Sequence, residues 1–393
     1  MRKIILPVVL VVLLISVFVP PLFSGFATKA QREKDILLRQ SGTFFNVLLL
    51  AKSDYVDEVS TKKLLEGAMN GLLRSLDPYS QFLTPEAYED LKMDTQGEYA
   101  GVGIEISVKG GFLHVIAPLD GSPAELAGIK AGDTIIKIDD SPARDISLAE
   151  AVKKMRGAVG ASVKLTIFRE GENKVMEFQV KRDKVKLKSI KEAKLLHDNV
   201  GYIRISSFQE RSAEDFEDAL KGLESQGMSG LILDLRNNAG GLLDSAVEVT
   251  EKFIAKGKLI VSTKGRSSSK NKSFISQNSH PRRTAPLVLL VDKGSASGSE
   301  ILAGAIQDYN LGTIVGTKTY GKGSVQSLIP IGDGSAVRMT TSKYYTPNGR
   351  LIHEIGVMPD VVIEAEGDKS VKDNQLERAL ALIHDQKAKP LAA

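Results

Sequence analysis

Four textures of apolar and polar residues follow one another along the chain. An apolar run from Ile4 to Phe23, behind Arg2 and Lys3, precedes the small-residue stretch Ser24-Gly25-Phe26-Ala27. From Gln31 to about Lys92 apolar residues, among them Leu64, Leu65, Met69, Leu72 and Leu73, recur at three or four residues and predict helices. Leu76-Asp77-Pro78-Tyr79-Ser80 breaks this pattern, and Thr84-Pro85-Glu86 reads as a helix start, with Thr84 as N-cap and Pro85 at the first helical position. No strand is expected there; the segment reads as a docking or dimerisation module, or as a helical prefix packed on the core.

Between about Gly97 and Arg182 short strands and turns take over. Residues 102–108 and 112–116 flank Lys109-Gly110-Gly111 as a hairpin, with strands expected at 134–138, 163–168 and 174–180 and short helices at 124–127 and 148–155. From Lys184 to about Glu366 strands and helices alternate. Residues 200–205, 230–235 and 287–291 are apolar, β-branched runs of buried-strand type, each followed by a helical pattern at 213–223, 242–253 and 300–309. Residues 262–285 are polar, with six basic residues and no acid, and read as an exposed loop near the chemistry. Residues 372–386 form a last amphipathic helix.

Composition narrows the function. The 393 residues are 42% hydrophobic and 25% charged, a globular balance that divides into two or three domains. With no cysteine, disulfides, thiol nucleophiles, iron–sulfur ligation and thiolate zinc sites are excluded. A formal charge of +4 is too mild to imply nucleic acid as a partner. The basic, apolar and small-residue regions of 1–27 read as a secretory signal or an uncleaved membrane anchor; either puts the remainder outside the cytoplasm.

The five histidines are scattered, and no H-E-x-x-H, phosphate loop, complete G-x-G-x-x-G or G-x-S-x-G elbow is present. Three other segments could carry chemistry. Asp292-Lys293-Gly294-Ser295-Ala296-Ser297-Gly298-Ser299-Glu300 ends a buried strand and begins a helix, so a serine there faces the positive end of a helix dipole; Ser297-x-x-Glu300 is equally a capping box that only starts the helix. Thr319-Tyr320-Gly321-Lys322-Gly323-Ser324-Val325-Gln326 sets a lysine between glycines, either a surface turn or a buried base. A free lysine titrates near ~10.4, and bringing it to about 7–8 requires roughly 3–4 kcal/mol of destabilisation of the charged form, which burial supplies. Asn237-Asn238-Ala239-Gly240-Gly241 follows a strand and either presents amides to an anion or merely turns the chain.

In this order the three segments resemble the carboxy-terminal processing proteases, serine proteases with a Ser–Lys dyad and a PDZ domain ahead of the catalytic core. The resemblance extends to Tyr55-Val56-Asp57, Ser75-Leu76-Asp77-Pro78-Tyr79-Ser80, Thr95-Gln96-Gly97-Glu98, Gly101-Val102-Gly103-Ile104, Gly121-Ser122-Pro123-Ala124 and Gly128-Ile129-Lys130-Ala131-Gly132-Asp133. It implies a multidomain α+β protein: signal or anchor 1–27, N-terminal helical region 28–96, β-rich PDZ domain 97–182, α/β core of the ClpP/crotonase-like type 183–367, and helical tail 368–393. It implies Ser297 as nucleophile, Lys322 as general base and Gln326 as the side chain orienting the lysine, with Asp308 at a position implicated in some members. The amide of Gly298, with that of Gly240 or Gly241, would form the oxyanion hole; Gly298 departs from the alanine common there. Gly101, Val102, Gly103 and Ile104 would receive the C-terminal tail of a protein substrate with apolar end residues. Neither metal nor cofactor is implied. Activity would be gated by the PDZ domain, with Arg156 a candidate for coupling the domains, and the chain would be a bacterial periplasmic or inner-membrane-anchored homodimer joined through terminal helices. The rival readings are a non-catalytic PDZ scaffold and a chaperone-type extracytoplasmic PDZ protein.

Overall fold

The computed structural model describes residues 29–119, 121–279, 286–366 and 373–388; the expected signal or anchor at 1–27 lies outside them. The N-terminal unit, which runs to Leu72, holds the helix Lys29–Asp54 and all but the last two residues of the helix Thr61–Arg74. The first exposes Ile36, Leu37, Leu38, Phe44, Phe45, Val47, Leu49 and Leu50.

The second unit begins at Leu73. Asp77 closes its first turn, its Oδ1 accepting the N–H of Tyr79 and of Ser80 at 2.8 Å each. That turn delivers a strand the sequence pattern does not predict, Gln81–Leu83, antiparallel to the long strand Ala336–Tyr345. The helix Pro85–Thr95 follows, started as expected by Thr84, whose Oγ1 accepts the N–H of Ala87 at 3.3 Å.

The chain then enters a small β domain through the strand Glu98–Gly101 and leaves it through Asp183–Lys186, paired antiparallel as a two-stranded ribbon. Between them the strands Ile104–Lys109, Phe112–Pro118, Thr134–Ile138, Ser162–Arg169 and Lys174–Lys181 build one antiparallel sheet, with Ser141–Pro142 on its side. It has its own core, which includes Val102, Leu113, Ile135, Leu165 and Ile167, closed by the helix Leu148–Met155 through Ala151 and Met155.

The remainder is a layered α/β body. Its central sheet orders the strands Ile190–Leu195, Val200–Ile205, Gly230–Asp234, Leu287–Val291, Thr313–Gly316 and Val361–Val362, parallel after the first. Side chains alternate across it with period two. Ile203, Leu233 and Leu289 pack against the helices Ser212–Ser225, Leu243–Glu251 and Gly298–Asp308, while Tyr202, Ile232 and Leu290 meet the C-terminal helix Asn374–Ala388 through Ala379 and Ile383. A second, antiparallel sheet joins Gln81–Leu83, Ser324–Pro330, Ala336–Tyr345, Leu259–Gly265 and Lys272–Ile275. It packs on the helix Gly298–Asp308 through Tyr344, Val261, Ile301 and Ala305, so residues Gly298 to Ile306 of that helix are all buried.

The expected loop at 262–285 is corrected here. Its first half is the hairpin Leu259–Gly265 with Lys272–Ile275, turned by the short helix Ser268–Lys270. As an edge hairpin it buries only part of one face, so its lysines hide the alternation; residues 280–285 lie outside the description.

Candidate active site

At the C-terminal end of the buried strand Leu287–Val291 the chain makes a tightly bonded turn into the helix Gly298–Asp308. Asp292 Oδ1 accepts the N–H of Gly294 at 2.9 Å and of Asn237 at 2.8 Å, and Ser295 Oγ donates to the carbonyl of Leu235 at 2.8 Å. These bonds hold Ser297 at φ 52° and ψ −109°, a left-handed conformation that costs a non-glycine residue about 1–3 kcal/mol. Ser297 thus stands at the N-terminus of a buried helix, 8% exposed. Its side chain lies beside the phenol of Tyr344, which burial pushes up to about 12, so that the tyrosine stays neutral.

The Asn237–Gly241 loop lies against this turn. The carbonyl of buried Asn238 accepts the N–H of Ala296 at 3.0 Å and the hydroxyl of Ser299 at 2.9 Å, while its side-chain amide donates to Ile205 at 3.0 Å. Gly240, at φ 98°, leaves no room for a side chain: a Cβ would lie 2.7 Å from that of Ser297. Its N–H is already committed, donating to Asn238 Oδ1 at 2.9 Å. Gly241 bridges Phe208 in parallel fashion, in which the bonds run from Phe208 to Gly240 and from Leu242 to Phe208, so its own N–H points away from that pairing. At Gly298 a Cβ would come within 2.9 Å of the Phe208 ring, so the glycine is matched by the aromatic packed on it.

Lys322 reaches the same place from the loop between the strands Thr313–Gly316 and Ser324–Pro330, and Glu300 joins the two. The Glu300 carboxylate is fully buried; its Oε2 accepts the N–H of Ser297 at 2.8 Å and of Lys322 at 2.9 Å, and its Oε1 accepts the N–H of Gly321 at 2.7 Å and the hydroxyl of Thr319 at 2.6 Å. Thr319 Oγ1 itself accepts the Val357 N–H at 2.7 Å, so its proton goes to Glu300. Burial pushes the Glu300 carboxyl up, against these four donors, which favour its ionised form.

Burial is the first cause that lowers the Lys322 amine below the ordinary lysine range, and repulsion from Arg338 the second; Glu300 acts in the opposite sense. The Lys322 Nζ lies 5.2 Å from the centre of the Tyr79 ring and makes no side-chain hydrogen bond among the described residues, to Ser297 included. Gln326 Nε2 donates to Ser324 Oγ at 2.9 Å and Thr340 Oγ1 at 3.2 Å rather than to the lysine. Asp308 sits at the far end of the helix that Ser297 begins, paired with Arg350 and accepting the Asn348 N–H at 2.8 Å.

In the β domain, Val102, Gly103 and Ile104 line a cavity of about 190 Å³ with Val152 and Met155. Gly101 stands beside it in the ribbon, paired with Asp183. Arg156 lies over the Tyr99 ring at 4.9 Å and 3.8 Å from Asp94, linking the β domain to the ribbon and to the helix Pro85–Thr95.

The structure therefore brings Ser297, Gly298, Gly240 and the Lys322 loop together, with Gly241 next in the chain packed on Phe208. Sequence reasoning missed Tyr344, Thr319, Tyr79 and Arg338 as neighbours. Only Glu300 had a local signal, the capping box, and that signal points to one of its two attachments.

Comparison with known proteins agrees with this arrangement. The model of peptidase family S41 matches residues 199–363, that of the PDZ domain 90–168, and that of the activating protease CtpB N-terminal domain 27–87. The carboxy-terminal-processing protease of Bartonella bacilliformis is 41% identical over 330 residues, covering 83% of this chain and 75% of the relative. The carboxy-terminal processing protease CtpB of Bacillus subtilis is 38% identical over 334 residues, 84% of this chain and 69% of the relative. This chain belongs to the carboxy-terminal processing proteases. Like them it is a serine-type peptidase with a PDZ domain and acts on protein or peptide substrates. A solved S41 protease from Bacteroides fragilis, 16% identical with a TM-score of 0.55 over 81% of this chain and 90% of that one, shares its fold. The S41 match encloses Ser297, Glu300 and Lys322, so the clamp just described lies inside the peptidase portion of this carboxy-terminal processing protease.

Proposed function

We propose that the chain cleaves proteins near their C-termini with Ser297 as nucleophile and Lys322 as general base. The observation that carries this reading is the Glu300 clamp: one carboxylate oxygen holds the backbone nitrogens of both Ser297 and Lys322. The neutral Lys322 amine swings from Tyr79 to the Ser297 hydroxyl and takes its proton as Oγ attacks the scissile carbonyl. The N–H groups of Gly298 and Gly241 receive the oxyanion, Gly241 being favoured over Gly240 because the latter's N–H is engaged by Asn238. The lysine returns the proton to the leaving amine, and water, deprotonated by the same amine, releases the acyl-enzyme. Replacing either Ser297 or Lys322 by alanine should lower cleavage of a peptide with an unstructured tail by at least about a thousandfold, with circular dichroism unchanged. Full activity in either variant defeats the dyad.

The PDZ cavity beside Val102, Gly103 and Ile104 is the proposed receptor for the substrate tail, which adds to the sheet edge as a strand. The contacts of Arg156 with Tyr99 and Asp94 support a coupling of that event to the peptidase body. The exposed apolar residues of the helix Lys29–Asp54 support dimerisation through that helix, since a patch of this kind on a free surface calls for a partner. No helix among the described residues is long and apolar enough to cross a membrane. An extracytoplasmic location rests on residues 1–27, and alkaline-phosphatase fusion after Ala27 tests export: an inactive fusion would overturn it.

A further inference from the structure

The active site holds a cation for which the dyad has no use. Arg338 lies on the strand Ala336–Tyr345, on the same face as Thr340; a bulge between Thr340 and Ser342 turns Ser342 and Tyr344 to the other face. It is half-buried, and no carboxylate pairs with it among the described residues; its one hydrogen bond runs from Nε to the Tyr79 carbonyl at 3.3 Å. Other buried arginines in the chain are amply bonded. Arg236 is held by Asp234 and Asp373, and Arg182 by the carbonyls of Met155, Ser162 and Lys154. Tyr79 touches both groups, its carbonyl accepting from Arg338 Nε and its ring centre 5.2 Å from the Lys322 Nζ.

The other groups around Lys322 do not neutralise this charge. From the helix comes Glu300, whose oxygens already take four donors. From the N-terminal turn comes Tyr79, which burial first and the neighbouring Tyr320 of the lysine's own loop second push up to about 12, hence neutral. Beneath Gly321 and Gly323 pass Glu354, whose side chain is turned to solvent at 85% exposure, and His353, whose Nδ1 is buried without a partner.

We propose that Arg338 acts through Lys322, as the fixed positive charge that keeps the lysine amine neutral and ready to accept the serine proton. Two like charges in one partly buried site disfavour each other, and the group with the weaker hold on its proton gives it up. A guanidinium does not deprotonate in proteins, so the lysine yields. The repulsion already noted at Lys322, second only to burial, has this sign.

The proposal rests on Lys322 being the base, and the test separates the two. The readout is kcat/KM against pH from 5 to 10 on one unstructured-tail peptide. Removing the charge in Arg338→Gln should raise the pKa of Lys322, moving the acid limb up by about one pH unit, with activity recovering at high pH. Because the chain has no cysteine, Lys322→Cys can be alkylated selectively to aminoethylcysteine, a less basic amine. Installed in the Arg338→Gln background, it should bring the limb back down. A uniform loss at every pH, with the limb unmoved, assigns Arg338 to the fold and overturns the proposal. So does a loss confined to peptides carrying a carboxylate near the scissile bond, which makes Arg338 a substrate receptor. Should Arg338→Gln fold poorly, Arg338→Lys replaces it: two coupled amines should broaden the limb, and a single unmoved limb is again fatal. An active Lys322→Ala variant would sink the base itself, whereas an inactive one with an unmoved Arg338→Gln limb sinks only the role of Arg338.

Discussion

Glu300 has two oxygens and four donors, and that ratio decides what a substitution does. A glutamine keeps the shape but presents an NH₂ group to one pair of donors, orphaning both at about 1–3 kcal/mol each. Glu300→Gln should therefore lower the melting temperature and reduce kcat more than tenfold, while KM moves little because the carboxylate lies behind the reacting groups. Stopped-flow and steady-state cleavage check this, and an unchanged kcat would mean that the clamp is dispensable. The same scale shows where a sequence stops being legible. Ser297 and Lys322 sit in recognisable local strings, whereas Tyr79, Arg338 and Tyr344 meet them across more than two hundred residues or through a strand with no signature of its own. Gly240 and Gly241 are alike as letters; the Asn238 side chain distinguishes them, and only in three dimensions.

Among the elements, continuous apolar runs such as Leu287–Val291 announce themselves because both faces are covered. Gln81–Leu83 does not, being too short to display a period, and the hairpin Leu259–Gly265 with Lys272–Ile275 is masked by its solvated lysines. The PDZ groove makes a prediction at this level. If the loop at Val102–Ile104 takes a chain end, amidating a substrate's C-terminus should weaken its binding to the Ser297→Ala variant about tenfold or more by calorimetry. Equal affinity for acid and amide would remove tail recognition. The C-terminal helix makes another. Arg236, 5% exposed, spans Asp234 at 2.6 Å and Asp373 at 2.8 Å, joining the strand before the Asn237–Gly241 loop to that helix. Breaking a buried pair by removing one partner costs about 3–5 kcal/mol. Urea unfolding of Asp234→Asn should register a loss of that order; a variant as stable as the parent would show that Asp373 alone suffices.

On the scale of the whole molecule, the exposed apolar residues of the helix Lys29–Asp54 lead to the assembly expected in solution. Sedimentation should give a dimer, and Leu38→Asp with Phe45→Asp should give a monomer whose peptidase unit retains its fold. A monomeric parent chain would remove the dimer. The sequence alone supports the succession of helical, β-rich and α/β regions; what it hides is that the α/β body starts before the β domain, at Gln81–Leu83, and resumes after it.

That return has a practical side. Gly101 and Asp183 are paired residues of one ribbon, so the segment between them begins and ends about 5 Å apart. In the topology of the peptidase the segment is a cassette spliced at a single point. A recombinant exchange at those two positions would swap one PDZ module for another without re-threading the catalytic body.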